Sequence, residues 1–208
     1  MKLLDALHWR YAVKQFSDEK ITAAELRKLL NMARLSASSY GLQPYNIIVV
    51  ETKSIREQLL PFSYGQDKIA QSSHLIVFAA HTQVGDATVD RYITQYAKLA
   101  KKPPDELSDY SNHMKSALAA KTPEQRQQWA HQQAYIALGT FLTCAAVMKI
   151  DSCPMTGVDA AGYDAVLGLD KKGLTTSVIC PVGRRHADDI QAHSPKVRFD
   201  YDDIVLEI

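Results

Sequence analysis

The chain has 208 residues, 46% of them apolar and 23% charged, with 24 basic against 23 acidic side chains. That is enough chain for one domain with a substantial core, and the near-zero charge excludes a partner held by bulk electrostatics, such as nucleic acid. The three cysteines, Cys144, Cys153 and Cys180, form no CxxC and no Cys/His spacing, which argues against a zinc site and suits a reducing, cytoplasmic compartment.

The first residues, Met1 to Leu7, meet charge and aromatic side chains too soon for a signal peptide. No apolar run is long enough to span a bilayer, so no membrane is expected. Thr22-Ala23-Ala24-Glu25 reads as a capping box, followed by Leu26, Leu29, Leu30 and Ala33 at helical spacing. That helix ends near Ser36, where Ser38, Ser39, Gly41 and Pro44 break it. Tyr45 to Val50 reads as a strand, Ile55 to Leu60 as a short helix, and His74 to Ala80 as a buried strand. His74 is expected to be a satisfied structural residue. Val84 to Lys121 is helical and polar, interrupted at Pro103-Pro104.

Thr122-Pro123-Glu124-Gln125 starts another helix, with proline at the first helical position. It runs to Met148, and its second half, from Ala134, is apolar almost all round, so other structure must enclose it. Thr175 to Gly183 is a further strand. Ile204 to Ile208 is an apolar tail with strand propensity, a liability unless it pairs with a sheet edge.

Two cationic motifs stand at opposite ends of the sequence. One is Arg10-Tyr11-Ala12-Val13-Lys14-Gln15-Phe16, the other Ser194-Pro195-Lys196-Val197-Arg198. Each offers paired charged donors suited to one small anion, phosphate being the usual target. Taken singly, each is a solvated patch. A loop of small polar residues, Ser36 to Pro44, and a turn, Cys153-Pro154-Met155-Thr156-Gly157-Val158-Asp159, complete the set. No GxGxxG or GxxxxGK[ST] occurs, so a separate Rossmann site for a dinucleotide is not supported.

In this order and at this approximate spacing, the four segments resemble the flavin-binding motifs of the nitroreductase family, and the likeness runs from Leu3 to the last residue. It implies an α+β fold with a mixed central sheet flanked by helices, one domain over residues 1–208, and an intertwined homodimer. In that dimer the long helix forms much of the interface and the C-terminal extension adds a strand to the partner's sheet. It implies FMN as bound cofactor at the subunit interface, NADH or NADPH as donor, and a small-molecule oxidant such as a nitroaromatic or quinone, served in turn by a ping-pong scheme. No side chain is catalytic in that scheme and no metal is needed.

The resemblance assigns Arg10, Lys196 and Arg198 to the phosphate, and Lys14 and Lys68 to the N1–O2 edge of the ring, where reduction places negative charge. The Pro154-Met155-Thr156-Gly157 turn supplies a backbone donor to N5. Tyr11, Ala37, Ser38, Ser39, Gln43 and Gln66 complete the cofactor set, and Tyr40, Phe62 and Tyr64 are candidates for the substrate face. Ser38 and Ser39 are expected opposite Arg10 of the other chain. Departures from the family pattern are Thr156 where Glu is common, Ala12 where some branches have Ser, Gly41 where Asn is frequent, and Gln66 in place of an Asn contact before Lys68. They leave the oxidant open, with a specialised flavin or pteridine reductase, or a flavin store without turnover, as alternatives.

Overall fold

A computed structural model describes residues 2–208. Helix α1 (Leu3–Trp9) is followed by an extended segment and by α2 (Ala23–Arg34). The expected capping box opens α2: the Thr22 hydroxyl accepts from Glu25 N–H and the Glu25 carboxylate accepts from Thr22 N–H at 2.8 Å. Strand β1 (Tyr45–Val50), α3 (Lys53–Gln58), α4 (Lys68–Gln71) and β2 (His74–His81) come next. The Val84–Lys121 region is α5 (Asp86–Ala100) and α6 (Ser108–Ala119), parted at Pro103-Pro104 as the sequence suggests. Then come α7 (Pro123–Val147), β3 (Asp151–Ser152), α8 (Ala160–Leu167), β4 (Leu174–Gly183) and a terminal turn of helix, α9 (Tyr201–Ile204).

The sheet order is β1-β2-β4-β3, and its three ladders are antiparallel. Parallel pairing enters through a bridge between Ala12 and Ser152, which ties the first cationic segment to β3. Strand β2 is buried from His74 to Ala80 because both faces are covered. Ile76 and Phe78 pack with Leu29 of α2 and Phe141 of α7. Leu75 and Val77 pack the other way, with Leu59, Ile69 and Tyr163 of α8. A strand covered twice loses the polar alternation of a half-exposed one. His74 is 6% exposed and its Nδ1 lies 3.0 Å from Ser73 Oγ, in keeping with a structural role.

Helix α7 has 25 residues, about 38 Å at 1.5 Å per residue. Ala134, Ala137, Leu138, Phe141 and Ala145 face the sheet, but Tyr135, Ile136 and Val147 are 41%, 46% and 40% exposed. Leu3, Leu4 and Leu7 of the neighbouring α1 are exposed too. The apolar circumference of α7 is therefore only half enclosed by this chain. Helices α5 and α6 form a satellite core of Val89, Ile93, Leu107, Met114 and Leu118 against Ala130 of α7. No helix among the described residues is long and apolar enough to cross a membrane.

The C-terminal tail departs from the strand expected over Ile204 to Ile208. Asp202 and Asp203 occupy the first turn of α9, where carboxylates favour helix formation. Beyond it Val205 is extended (φ −107°, ψ 118°); its N–H donates to Tyr201 O at 2.8 Å, and it joins no strand among the described residues. Ile204 and Leu206 are left 67% and 80% exposed.

Candidate active site

The segment between α1 and Phe16 carries cations at both ends. Arg10 is the C-cap of α1, with extended backbone (φ −70°, ψ 141°), so the chain turns out of the helix there. The last carbonyls of a helix lack intrahelical partners. Lys196 Nζ, from the far end of the sequence, donates to two of them, Leu7 O and Arg10 O. Burial lowers the Lys196 pKa, and the charges of Arg10 and Arg198 lower it further. Among the described residues, none of these three cations is paired with a carboxylate. The structure thus gathers the two sequence-distant motifs into one cluster with unspent positive charge.

Four residues on, Lys14 lines a cavity of 520 Å³ together with Gln66, Lys68 and Asp189. Lys68, at the start of α4, is only 8% exposed. Lysine is rarely buried so far without a partner, and no carboxylate lies within ion-pair reach of it among the described residues. The buried Cys153 thiol is its neighbour: burial pushes that thiol's pKa up, while Lys68 and then Lys14 pull it back.

Asp189 was not singled out by the sequence, yet it organises this segment. Its Oδ2 accepts from Lys14 N–H at 2.8 Å, Gln15 N–H at 3.2 Å and the Tyr11 hydroxyl at 3.1 Å. Its Oδ1 accepts from Gln191 N–H at 3.1 Å. Burial acts to raise its pKa, but these bonds outweigh it and hold the carboxyl below its ordinary value. Tyr11 is shifted up in turn, by burial first and by the bond to Asp189 second. Arg185 was also missed. Its guanidinium lies 4.2 Å from the Trp9 ring and 4.6 Å from the Tyr11 ring, while its Nε donates to Asp151 Oδ1 at 2.8 Å. Arg10 is thereby flanked by two clamped aromatics. Neither device has a local sequence signal, because the contacts that tie Asp189 to Tyr11, Lys14 and Gln15, and Arg185 to Asp151, join residues 34 or more positions apart.

The turn after β3 is rooted by a two-way bridge between Met155 and Ile179 of β4. Thr156 and Gly157 project beyond it, exposed, and their N–H groups donate to no acceptor among the described residues. Pro154 is half-buried beside them. Tyr64 stands over this turn in the left-handed region (φ 54°), 77% exposed, with its ring 3.7 Å from where a Cβ of Gly157 would lie. Phe62 is turned inward, its ring filling the space left by Gly162 of α8.

The Ser38–Gln43 loop is held elsewhere. Ser39 N–H donates to Gln133 Oε1 of α7 at 2.8 Å, and Gln43 N–H to Ser38 Oγ at 3.1 Å. Gln43 Nε2 donates to Arg34 O at 2.9 Å. Ala37 is exposed, and Tyr40 sits at φ 54° with its ring edge-on to His113 of α6. No hydrogen bond among the described residues joins this loop to Arg10, Lys14 or Lys196 of the same chain. The chain therefore presents one cation-lined site and, on another part of its surface, a loop of hydroxyl and amide groups.

A fold of this kind is shared by a defined group of proteins. The model of the nitroreductase family matches residues 7–184. An oxygen-insensitive NAD(P)H nitroreductase of Salmonella typhimurium is 29% identical, the match covering 100% of both chains, and one from Enterobacter cloacae is 30% identical with the same coverage. Among solved structures, an Exiguobacterium sibiricum protein crystallised in complex with FMN superposes with a TM-score of 0.85, at 17% identity over 100% of this chain and 98% of that one. A nitroreductase family protein from Streptococcus pneumoniae also gives 0.85, at 19% identity over 100% of both chains. The chain belongs to the nitroreductase family.

Proposed function

We propose that the protein is an FMN-dependent NAD(P)H oxidoreductase that reduces nitroaromatics, quinones or similar electron-poor rings. The observation that carries this reading is the unpaired Arg10–Lys196–Arg198 cluster, standing four residues from a cavity that contains two lysines without carboxylate partners. Like charges brought together without counter-ions cost folding free energy, which a bound anion offsets. The relatives named as NAD(P)H nitroreductases and the neighbour holding FMN support the same assignment.

FMN, when bound, supplies the centre that accepts hydride and passes it on. The chain's own residues hold and polarise it. Arg10, Lys196 and Arg198 bind the phosphate. Lys14, Lys68 and Gln66 face the N1–O2 edge and favour the form carrying negative charge there. The free N–H groups of Thr156 and Gly157 are the donors available to N5. Tyr64, and Tyr40 from the other chain, border the open face where donor and oxidant alternate.

The working unit is a homodimer. The open apolar faces of α7 and α1 meet their copies, and Ser38, Ser39 and Gln43 of the partner subunit complete each site. The unpaired tail after α9 crosses to the open edge of the partner's β1. The test is the visible spectrum of the purified protein before and after anaerobic NADPH or NADH. Flavin bands that bleach quickly support the reading. A colourless protein that FMN cannot reconstitute overturns it, and a yellow protein that scarcely bleaches makes it a store.

A further inference from the structure

Of the buried residues described in α7, Gln133 alone is polar, and it is 4% exposed. A buried amide is costly unless both of its ends are bonded. Gln133 meets that demand: Nε2 donates to Trp129 O at 3.1 Å, and Oε1 accepts from Ser39 N–H at 2.8 Å. A carbonyl only accepts and a backbone N–H only donates, so the two ends of the amide are not interchangeable. Seven residues on, and so on the same face of α7, Thr140 Oγ1 lies 3.0 Å from Ser36 Oγ. The loop that α7 holds in this way is strained: Tyr40, Gly41 and Gln43 have φ of 54°, 71° and 42°. A left-handed Tyr or Gln persists only where its neighbours over-determine it. The far end of the loop is held by Arg91 Nη2 on Gln43 O at 3.3 Å and by Gln43 Nε2 on Arg34 O. At the near end, Ser39 N–H meets no acceptor but Gln133 Oε1 among the described residues. Ser39 Oγ has no partner among them, and Ser38 Oγ accepts from Gln43 N–H with its own proton unspent.

We propose that Gln133 is a positioning residue for the flavin of the other subunit: by holding Ser39 N–H it aims the Ser38 and Ser39 hydroxyls at the FMN bound to that subunit's cations. This role rests on the homodimer proposed above, in which the loop completes the partner's site, and it adds the group that sets the loop. The two hydroxyls are free to donate, and no hydrogen bond among the described residues joins the loop to Arg10, Lys14 or Lys196 of its own chain. They are therefore available to a second copy. Tyr135 and Ile136 give α7 an open apolar face next to Gln133 in the sequence. The helix that meets its copy is thus also the one from which the loop hangs. Hydroxyls fixed in advance by a rigid helix spare the ordering cost of binding.

FMN affinity of the full-length protein is read by quenching of flavin fluorescence. Gln133→Met keeps the bulk and removes the acceptor, and is expected to weaken FMN binding roughly tenfold, the scale of one hydrogen bond. Gln133→Glu is expected to recover most of that loss, because a buried, protonated carboxyl still accepts from Ser39 N–H and donates to Trp129 O. The deciding sample is a mixed dimer of two differently tagged chains, one Gln133→Met and the other Arg10→Ala with Arg198→Ala. With Gln133 acting across the interface, one site carries all the lesions and the other none, so half of the FMN titrates at native affinity. That native site uses the cations of the Gln133→Met chain, so its presence also shows this chain to be folded. A mixed dimer without a native half overturns the proposal. So does native affinity in Gln133→Met, or a Gln133→Glu protein that binds as weakly as Gln133→Met. Joint replacement of Ser38 and Ser39 by alanine separates two failures. If it weakens binding and Gln133→Met does not, only the role of Gln133 falls. If it leaves the affinity native, if the doubly substituted cation chain binds FMN normally, or if the native chain never dimerises, the shared site falls and the role of Gln133 with it.

Discussion

Asp189 and Lys14 are joined by a bond between a side-chain carboxylate and a backbone N–H, 2.8 Å long, that spans 175 positions of sequence. It leaves the Lys14 ammonium free while fixing the backbone that carries it. Because the folded-state pKa of Asp189 is lowered, its contribution to stability is complete above the unfolded value, about 3.9. It is lost as pH falls through the lower folded value. Denaturant melts taken from about pH 5 down to about pH 1 should show the native protein losing stability in acid more steeply than Asp189→Asn. At neutral pH the variant should be less stable by about 1–3 kcal/mol, because Asn leaves buried donors poorly matched. Parallel pH profiles for the two proteins would rule out an ionised Asp189 as the organiser of this segment.

The Arg198 guanidinium belongs to the cationic cluster with Arg10 and Lys196 and has no carboxylate partner among the described residues. Arg198→Ala should weaken FMN binding about 10- to 100-fold, the worth of a hydrogen bond to a charged group, and reduce the salt dependence of binding. Quenching of flavin fluorescence on titration into the apoprotein reads both. Unchanged affinity would remove Arg198 from the phosphate site.

Lys68 is the buried member of the lysine pair in the 520 Å³ cavity. Replacing it with Met keeps the stem and removes the charge. The two-electron potential of bound flavin should fall by a few tens of millivolts, since about 30 mV corresponds to 1.4 kcal/mol for two electrons. Dye-coupled reductive titration measures this apart from turnover. A potential equal to the native one would place Lys68 away from the ring.

Much of the framework was legible because its signals are local. The capping box at Thr22 and the proline-marked helix start at Thr122 need only four residues each, and both are present; the structure adds a capping box at Thr122 as well. Strand β2 announced itself by an unbroken apolar run. What stayed hidden depends on distance along the chain. The Asp189 clamp and the Arg185 sandwich leave no periodicity, and β3 is two residues long. Short α1, α4 and α8 are held by packing and not by a repeating stripe. The tail shows the opposite limit. Its strand propensity was visible, and Val205 is extended, but a strand exists only where an edge accepts it, and the tail meets no edge of its own sheet among the described residues. Of the site, the residue types were readable; the burial of Lys68 and the inward turn of Phe62 were not.

Gly162 tests how far the cation-lined site depends on packing behind it. A Cβ at this position in α8 would fall 2.0 Å from Cδ1 of Phe62, so the Phe62 ring must move if any side chain is placed there. The ring belongs to the same packed cluster as Met155 and Tyr163, and the Tyr163 hydroxyl lies 2.6 Å from Ser63 Oγ. Phe62, Ser63 and Tyr64 are consecutive, so displacing the ring drags the left-handed Tyr64 off the Thr156–Gly157 turn. Gly162→Ala should cost about 1–3 kcal/mol, as over-packing does. It should also alter oxidant KM more than FMN affinity, since the Arg10–Lys196–Arg198 cluster proposed for the phosphate is on other elements. Phe62→Leu in the same chain should restore part of the stability by vacating the space. Thermal unfolding of the two variants, with KM for one quinone and one nitroaromatic, decides the matter. A stable Gly162→Ala protein with native KM would show that Tyr64 is set independently of the ring beneath it.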